Sequence, residues 1–278
     1  MQKLYTDKCP DCGGYHIRLG LSSEENKSLK KSFAKAVRHI FKNKSETLHP
    51  DVLKEKAIKP LLNNIESVIK QGFDKGVTQS VPKEMLSDLT DNVHLFSGVK
   101  TYDELHQLSN MLLDENGTIK PFSTYWQDVQ AIHETYNQSY LESEYIFATQ
   151  SAQMAAKWAE VEADGDAYDL QYRTAGDDRV RDEHAALEDI TLPPSDPFWE
   201  DFYPPNGWRC RCTAVQVRIG KYDRSDSEEA TNKGEEATTG SNEIFRFNPG
   251  KDGVVFPPHH PYFKEYKNQL SDIKDAIE

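Results

Sequence analysis

The chain has 278 residues, of which 37% are hydrophobic, and a formal net charge of −13. That length suits one large or two ordinary domains. An acidic chain does not coat a polyanion with its whole surface, and no apolar run approaches the roughly 18 residues of a membrane span. We therefore expect no membrane partner. The first residues, MQKLYTDKCPDC, contain no apolar segment of a secretory signal, so a reducing cytoplasm is expected, where cysteine pairs are more often metal ligands than disulfides.

The chain begins with a predicted cysteine knuckle, CPDCGG, within residues 1–20. A mostly helical region is predicted for residues 21–164. Its first helix has Ser22 or Ser23 as a candidate N-cap, followed by apolar residues at helical spacing. The basic residues of this helix form either a solvated face or a non-specific contact with DNA. The residues considered for that contact are Lys30, Lys31, Lys35 and Arg38.

Further helices are predicted over residues 60–76, around residues 102–112 and over residues 123–162. In the last of these, aromatic residues recur at spacings of three and four, and no proline interrupts the pattern. We interpret this aromatic stripe as core and not as a cofactor site. A helix of that length suits a scaffold that spans distance or packs into an assembly.

The apolar period then changes from 3.6 to 2. The segments AYDLQYRTA and TAVQVRI alternate apolar and polar residues, which predicts two half-buried strands joined by a long loop. They define a small α+β domain over residues 165–220. Residues 221–243 are rich in Ser, Thr, Glu and Gly and predict a flexible acidic linker. Residues 244–278 predict an extended C-terminal strap and a short helix. The fold class is therefore α+β, with an extended helical N-terminal half.

The chain has four cysteines in two pairs. Cys9 and Cys12 lie in the knuckle, and Cys210 and Cys212 are two residues apart, so on a strand both thiols point to the same side. Four thiolates would complete a tetrahedral structural zinc site. Buried free thiols, disulfides and redox chemistry are the alternatives. The candidate substitute ligands are His16 and His184.

Charged residues are concentrated in the loop between the predicted strands, from position 177 to position 184. In an enzymatic interpretation, His184 is a general base oriented by Asp177 or Glu183. In a structural interpretation, Arg179 and Arg181 fix the loop through carboxylate pairs, with aromatic anchors further along. The chain contains no P-loop, nucleophile elbow or zincin motif. The pattern favours the structural interpretation.

This loop and the segment PPNGWRCRC resemble the phage Mu protein F-like minor head proteins. In that family an Arg-Thr pair ends a strand, and an Asp-Arg-Val-Arg-x-x-His stretch follows. Pro-x-x-Asp-Pro-Phe-Trp and Pro-Pro-Asn-Gly-Trp-x-Cys-Arg-Cys come next. The matching segments here are Arg173–Thr174, Asp178–His184, Pro193–Trp199 and Pro204–Cys212. The close resemblance covers residues 172–217, and a looser one extends over the preceding helix.

The resemblance implies a minor head protein of a tailed phage or prophage that acts in head morphogenesis at or near the portal, with genome packaging or delivery as associated processes. It implies the portal and other head proteins as partners, and a place in the virion after assembly in the host cytoplasm. The alternative is a hydrolase, nuclease or transferase that uses the loop around His184. The residues that the resemblance marks as a structural motif are Arg173, Asp178, Arg179, Arg181, His184, Trp199, Asn206, Gly207 and Trp208.

Overall fold

The computed structural model describes residues 21–44, 47–77 and 81–278. The helices are α1 (Ser23–Asn43), α2 (Lys59–Gly76), α3 (Lys83–Asn110), α4 (Phe122–Asp128), α5 (Gln130–Glu134), α6 (Leu141–Asp164), α7 (Asp182–Ala185), α8 (Phe198–Asp201), α9 (Ser227–Ala237), α10 (Pro261–Glu265) and α11 (Leu270–Ile277). The strands are β1 (Tyr168–Arg173), β2 (Thr191–Leu192) and β3 (Thr213–Arg218). The predicted α+β class is confirmed. The predicted knuckle at residues 1–20 lies outside the described residues.

Helix α1 begins at the predicted N-cap. Ser22 Oγ accepts a hydrogen bond from the Glu25 N–H at 3.2 Å, and Glu25 Oε2 accepts one from the Ser22 N–H at 2.7 Å. This reciprocal capping box satisfies two backbone donors that the helix itself leaves unpaired. Phe33 and Ile40, on the apolar side of the helix, are buried in the larger of two hydrophobic cores. The cap and the stripe together account for the helix.

Helices α2 and α6 pack so closely that their backbones touch. A Cβ added at Gly72 would overlap the carbonyl oxygen of Tyr145, and one added at Gly76 would overlap the carbonyl oxygen of Thr149. Glycine is the residue that permits such an approach, because it carries no Cβ. The helical half is therefore held together by contact between backbones as well as by its apolar stripes.

The long helix predicted over residues 123–162 is interrupted. Helices α4 and α5 are separate, a π-helical turn spans Thr135–Tyr140, and α6 follows directly at Leu141. The helical prediction is confirmed, but its continuity was wrong. A π turn changes which backbone groups are hydrogen-bonded without requiring proline or glycine, so the aromatic spacing gave no sign of it.

The sheet has the order β2-β1-β3, and both pairings are antiparallel. Tyr172 of β1 lies opposite Ala214 of β3, within the second, smaller core. Both predicted strands form, but β1 is buried on both faces. Asp169 and Gln171, on its polar face, are each 1% exposed. Arg224 covers Asp169 with an ion pair at 2.9 Å, so the half-buried prediction was wrong for β1.

The segment predicted as a flexible linker, residues 221–243, contains helix α9. Asp226 caps it by accepting a hydrogen bond from the Glu229 N–H at 2.9 Å. Ala230, Gly234 and Ala237 form its buried side, and a Cβ at Gly234 would lie 2.5 Å from the Phe202 ring. The helix packs through small residues, so the absence of large apolar side chains was misread as flexibility.

The final segment, residues 244–278, packs across the helical half. Phe256 stacks on Phe96 of α3 with ring centroids 3.6 Å apart. Asn92 Oδ1 accepts hydrogen bonds from the Val255 and Phe256 N–H groups at 3.0 and 2.8 Å. This segment joins the larger core and helps to position the residues of the candidate site described next.

Candidate functional site

Three metal-ligand side chains meet where α7 faces the segment before β3. His184 Nδ1 lies 3.7 Å from Cys210 Sγ and 3.7 Å from Cys212 Sγ. The ligand atoms of the three residues all lie within 4.8 Å of one another. His184 and Cys210 are buried, and Cys212 is partly buried. These three residues are called the His–Cys cluster below.

The spacing of the His–Cys cluster suits a tetrahedral metal ion. Zinc bonds of about 2.3 Å to sulfur and about 2.0 Å to nitrogen place those ligand atoms roughly 3.5 Å apart in a tetrahedron. The observed 3.7 Å is close to that separation. A bound metal ion would find three of its four tetrahedral positions in these residues. Cys9, Cys12 and His16, predicted as further ligands, lie outside the described residues.

The two thiols of the cluster titrate as a pair. The pKa of Cys210 is held well below its ordinary value, because Cys212 donates a hydrogen bond to its sulfur, and His184 adds to the effect. The pKa of Cys212 is raised, because its proton is shared with Cys210 and its own surroundings are buried. The pair thus yields one thiolate more readily than two isolated cysteines would. Thiolate is the form of cysteine that binds metals.

Arg181 links the cluster to the segment Asn206–Trp208. Its Nη1 lies 3.2 Å from His184 Nε2, and its Nη2 donates to the Trp208 carbonyl oxygen. Gly207 leaves room for it, since a Cβ there would lie 2.7 Å from Arg181 Nη1. The predicted carboxylate partner of Arg181 is therefore replaced by a backbone carbonyl and a histidine.

The contact with Arg181 also limits how a metal could bind His184. A guanidinium only donates hydrogen bonds, so His184 Nε2 is the acceptor in this contact. A metal bound at Nδ1 would instead place the proton on Nε2, facing another donor. Metal binding at His184 therefore requires Arg181 to turn away from the ring.

The carboxylate fork of the loop is made by Arg211. Its Nη1 and Nη2 donate to the two oxygens of Asp177, both at 2.6 Å, and Arg179 Nη2 adds a third hydrogen bond at 3.0 Å. The hydrogen bonds from Arg211 are the main reason that the pKa of Asp177 lies below its usual range. The pairing of Arg179 with a carboxylate was expected, but the pairing of Arg211 was missed. Arg211 lies between Cys210 and Cys212, and in extended backbone its side chain points away from theirs, which was the available signal.

We expect Arg211→Lys to lower the melting temperature at pH 7 more than Arg179→Lys does. Lysine keeps the charge but loses the two parallel hydrogen bonds. Because the pKa of Asp177 is depressed in the folded state, its contribution is present at neutral pH and is lost as the pH falls through the acid range. The difference between wild type and Arg211→Lys should therefore shrink on acidification, as measured by circular dichroism melts. Equal melting temperatures of both variants at pH 7 would contradict the fork.

The remaining motif residues pack and fasten the domain. Asn206 is buried, and its Oδ1 accepts a hydrogen bond from the Tyr172 hydroxyl at 2.9 Å. Trp208 packs edge-on against Phe147 and Phe245, with centroids 5.0 and 5.3 Å apart. It thus joins the sheet domain to the larger core.

Trp199 and Arg173 also hold the loop between β1 and β3 in place. Trp199 is fully buried, and its carbonyl accepts from Asn248 Nδ2 at 3.0 Å. Arg173 pairs with Asp189 at 2.9 Å at the end of β1, whereas Asp178 is exposed. Most of the motif therefore holds the loop against the sheet.

The arrangement does not form the His–Asp pair of the enzymatic interpretation. His184 is 2% exposed, and its ring contacts Arg181 and the two cysteines. Asp177 is engaged by Arg179 and Arg211 instead. The buried and fully contacted histidine favours a structural or metal-holding role.

The basic residues of α1 are all exposed but divide into two groups. Lys31 and Lys35 line a cavity of about 650 Å³ together with Lys54, Lys56 and Lys59, and serines, asparagines and a proline complete its lining. This is called the lysine groove below. Lys30 and Arg38 are not part of its lining, and the Arg38 guanidinium lies 5.7 Å from the Trp126 ring. The three lysines beyond α1 were missed, because they come together only when the start of α2 packs beside α1.

Comparison with known proteins adds to this geometry. The model of the family described as "Phage Mu protein F like protein" matches residues 63–215. "Putative capsid assembly protein F" of Escherichia phage Mu is 41% identical over 69 residues, which cover 24% of this chain and 16% of that protein. "Mu-like prophage FluMu F protein" of Haemophilus influenzae is 40% identical over 65 residues, covering 21% and 16%.

The chain therefore matches about a sixth of the length of these two curated relatives. No solved structure matches it significantly. None of the helices within residues 21–44, 47–77 and 81–278 is long and apolar enough to cross a membrane. Because the family match covers more than half of the chain, including the loop, α7 and the His–Cys cluster, the protein belongs to the phage Mu protein F-like family.

Proposed function

We propose that the chain acts in assembly of a phage head, together with the portal and other head proteins. The name of the phage Mu relative, a capsid assembly protein, supports this. The observation that carries the proposal is that motif residues fasten a loop, since Arg181 holds the Trp208 carbonyl and Asn206 accepts a hydrogen bond from Tyr172. A loop that is held in place by several contacts suits a protein that works by contact with partners. We place it at or near the portal of the virion, where it would support genome packaging or delivery.

Deletion of the gene from the phage or prophage that encodes it tests this proposal. Thin-section electron microscopy of induced cells should show few DNA-filled heads, and the wild-type gene supplied in trans should restore them. A variant with Arg181→Ala should restore fewer heads than one with Asp178→Ala, because Asp178 is exposed. A normal yield of filled heads from the deletion strain would contradict a role in head assembly.

The His–Cys cluster is proposed as a structural zinc site. Histidine and cysteine are the ligands that zinc prefers in structural sites, and the separations in the cluster fit. Zinc binding would release the contact between Arg181 Nη1 and His184 Nε2. The cysteines of residues 1–20 are the candidates for the remaining position. Zinc would then tie α7 and the segment before β3 to the start of the chain.

We expect the purified full chain to contain one zinc ion per molecule by inductively coupled plasma mass spectrometry. His184→Ala and Cys210→Ser should each lose most of it, because each removes one ligand. The matched control His259→Ala, at an exposed histidine, should retain it. The zinc proposal would be contradicted if the wild-type protein contains no zinc and a chelator does not change its melting temperature. The cluster would then consist of buried thiols.

The lysine groove is proposed as the site of a non-specific contact with DNA. Five lysines and several neutral hydrogen-bond donors surround it, a composition that suits phosphate oxygens. The contact would be local, because the chain as a whole is acidic.

We expect the full chain to bind duplex DNA weakly at low salt, with a steep loss as salt rises. The double substitution of Lys31 and Lys35 to alanine should reduce the slope of log affinity against log salt by roughly 2, since each phosphate contact contributes about 0.9. The double substitution of Lys264 and Lys267, two exposed lysines near the C-terminus, is the control. Fluorescence anisotropy gives both slopes. Identical slopes in all three proteins would exclude the groove as the contact.

A further inference from the structure

A second cavity, of about 880 Å³, lies where the π-helical turn faces α3, α6 and α10. Its volume is within the range of roughly 300–1,000 Å³ that is typical of ligand sites. The aromatic part of its lining comprises Tyr136, Tyr140, Tyr262, Tyr266 and Trp208. This is called the tyrosine cavity below. It uses none of the three residues of the His–Cys cluster.

The π-helical turn places two of these tyrosines side by side. Tyr136 and Tyr140 have ring centroids 5.4 Å apart, and Tyr140 is 46% exposed although it lines the cavity. Turns of this kind within α-helices occur frequently at functional sites. Here the turn contributes two neighbouring tyrosine rings to the lining of the cavity.

The lining also carries an excess of negative charge. Asp103 and Glu144 are 6% and 3% exposed, and Glu265 is exposed. Lys100, directly behind the lining, pairs with Glu144 at 3.0 Å. Asp103 accepts hydrogen bonds from the hydroxyls of Tyr136 and Tyr266, at 2.6 and 2.8 Å, and these donors are neutral.

The histidines of the lining do not offset this charge. Burial lowers the pKa of His106, and it lowers the pKa of His260 to about 3, so both rings are neutral at physiological pH. The buried Glu104 lies close to the same carboxylates and contributes to the repulsion among them. A carboxylate buried without a cation is costly, and a positively charged ligand would lower that cost.

The aromatic rings already accommodate one ammonium group. Lys100 Nζ lies 5.2 Å from the Tyr136 centroid and 5.8 Å from the centroids of both Tyr140 and Tyr262. A cation within about 6 Å of a ring face is attracted by its quadrupole. The same three rings line the cavity and would attract a cation from outside in the same way.

We propose that the tyrosine cavity binds an organic cation that carries a primary ammonium or guanidinium group. Its aromatic faces would contact the alkyl part and the charge, and Asp103 and Glu265 would compensate the charge, since Glu144 is already paired with Lys100. Two sources have this chemistry: a free polyamine, and a lysine or arginine side chain of another protein. This inference is independent of the role in head assembly.

Isothermal titration calorimetry of the full chain tests the proposal, with spermidine and N-acetyl-arginine amide as separate probes. We expect binding at one site for at least one probe. Tyr140→Leu and Glu265→Gln should each weaken it about threefold or more, since the first removes an aromatic face and the second removes a negative charge. The matched controls Tyr168→Leu and Glu236→Gln, at exposed residues outside the cavity, should bind as wild type does.

The two probes distinguish the two sources. Tighter binding of spermidine supports a free polyamine, and tighter binding of the blocked arginine supports a partner side chain. Failure of both probes to bind would overturn the proposal. Equal weakening by the cavity variants and the controls would also overturn it, because the cations would then be held by the acidic surface in general.

Discussion

Gly72→Ala is expected to destabilise the protein by about 2 kcal/mol, the scale of overpacking in a closely packed site. Alanine at this position would place its Cβ against the carbonyl oxygen of Tyr145, and a backbone atom cannot move aside as a flexible side chain can. Helix α2 or α6 would have to shift, which would disturb the larger core. The sign of the change in the free energy of unfolding is informative. Where there is no steric conflict, alanine in place of glycine stabilises a helix by about 1 kcal/mol.

Urea denaturation monitored by circular dichroism measures this effect. The control is Ser67→Ala, at an exposed position of the same helix, which should leave the free energy of unfolding unchanged or slightly increased. A Gly72→Ala protein that is as stable as wild type would show that α2 and α6 do not touch through their backbones.

Glu104→Gln is expected to stabilise the protein by about 3 kcal/mol at pH 8, which is the equivalent of its pKa shift. Glu104 is fully buried, and burial raises its pKa to about 7 from the ordinary 4.5. The nearby ammonium of Lys100 and a hydrogen bond from Asn137 offset only part of that effect. The charged carboxylate is therefore unfavourable in the folded protein.

The direction with pH follows from the raised pKa. The contribution of Glu104 to stability is fully present below pH 4.5, and it is lost as the pH rises through about 7. Glutamine remains neutral, so the variant should resemble wild type at pH 4.5 and exceed it at pH 8. Free energies of unfolding across this range, with Glu134→Gln as an exposed control, measure the difference. A variant that is less stable than wild type at pH 8 would contradict a buried, unfavourable charge.

The parts of the fold that the sequence predicted are those with a clear local period. The stripe of α1, the Ser22 cap and the two longer strands follow from spacing alone. Helix α9 was missed because its buried side consists of Ala230, Gly234 and Ala237, which carry little apolar signal. The burial of Asp169 depends on Arg224, which lies 55 residues away and could not be paired with it from the sequence.

The candidate site was predicted in part. The two-residue spacing of Cys210 and Cys212 correctly placed both thiols together, and His184 was already considered as a ligand. Which residues hold the loop was not predictable, because Arg181 and Arg211 have the same charge and their partners depend on how the loop folds. The tyrosine cavity combines residues of four helical segments, so no single stretch of sequence indicated it.

Quantitative mass spectrometry of heads separated on a gradient from an induced culture tests the central claim most directly. The account predicts that this chain co-sediments with proheads or mature heads at a constant ratio to the major capsid protein. It also predicts that Arg181→Ala lowers that ratio more than Asp178→Ala, because Arg181 fastens the motif and Asp178 is exposed. Recovery of the chain entirely outside the head fractions, from cells in which heads assemble normally, would contradict a role in head assembly.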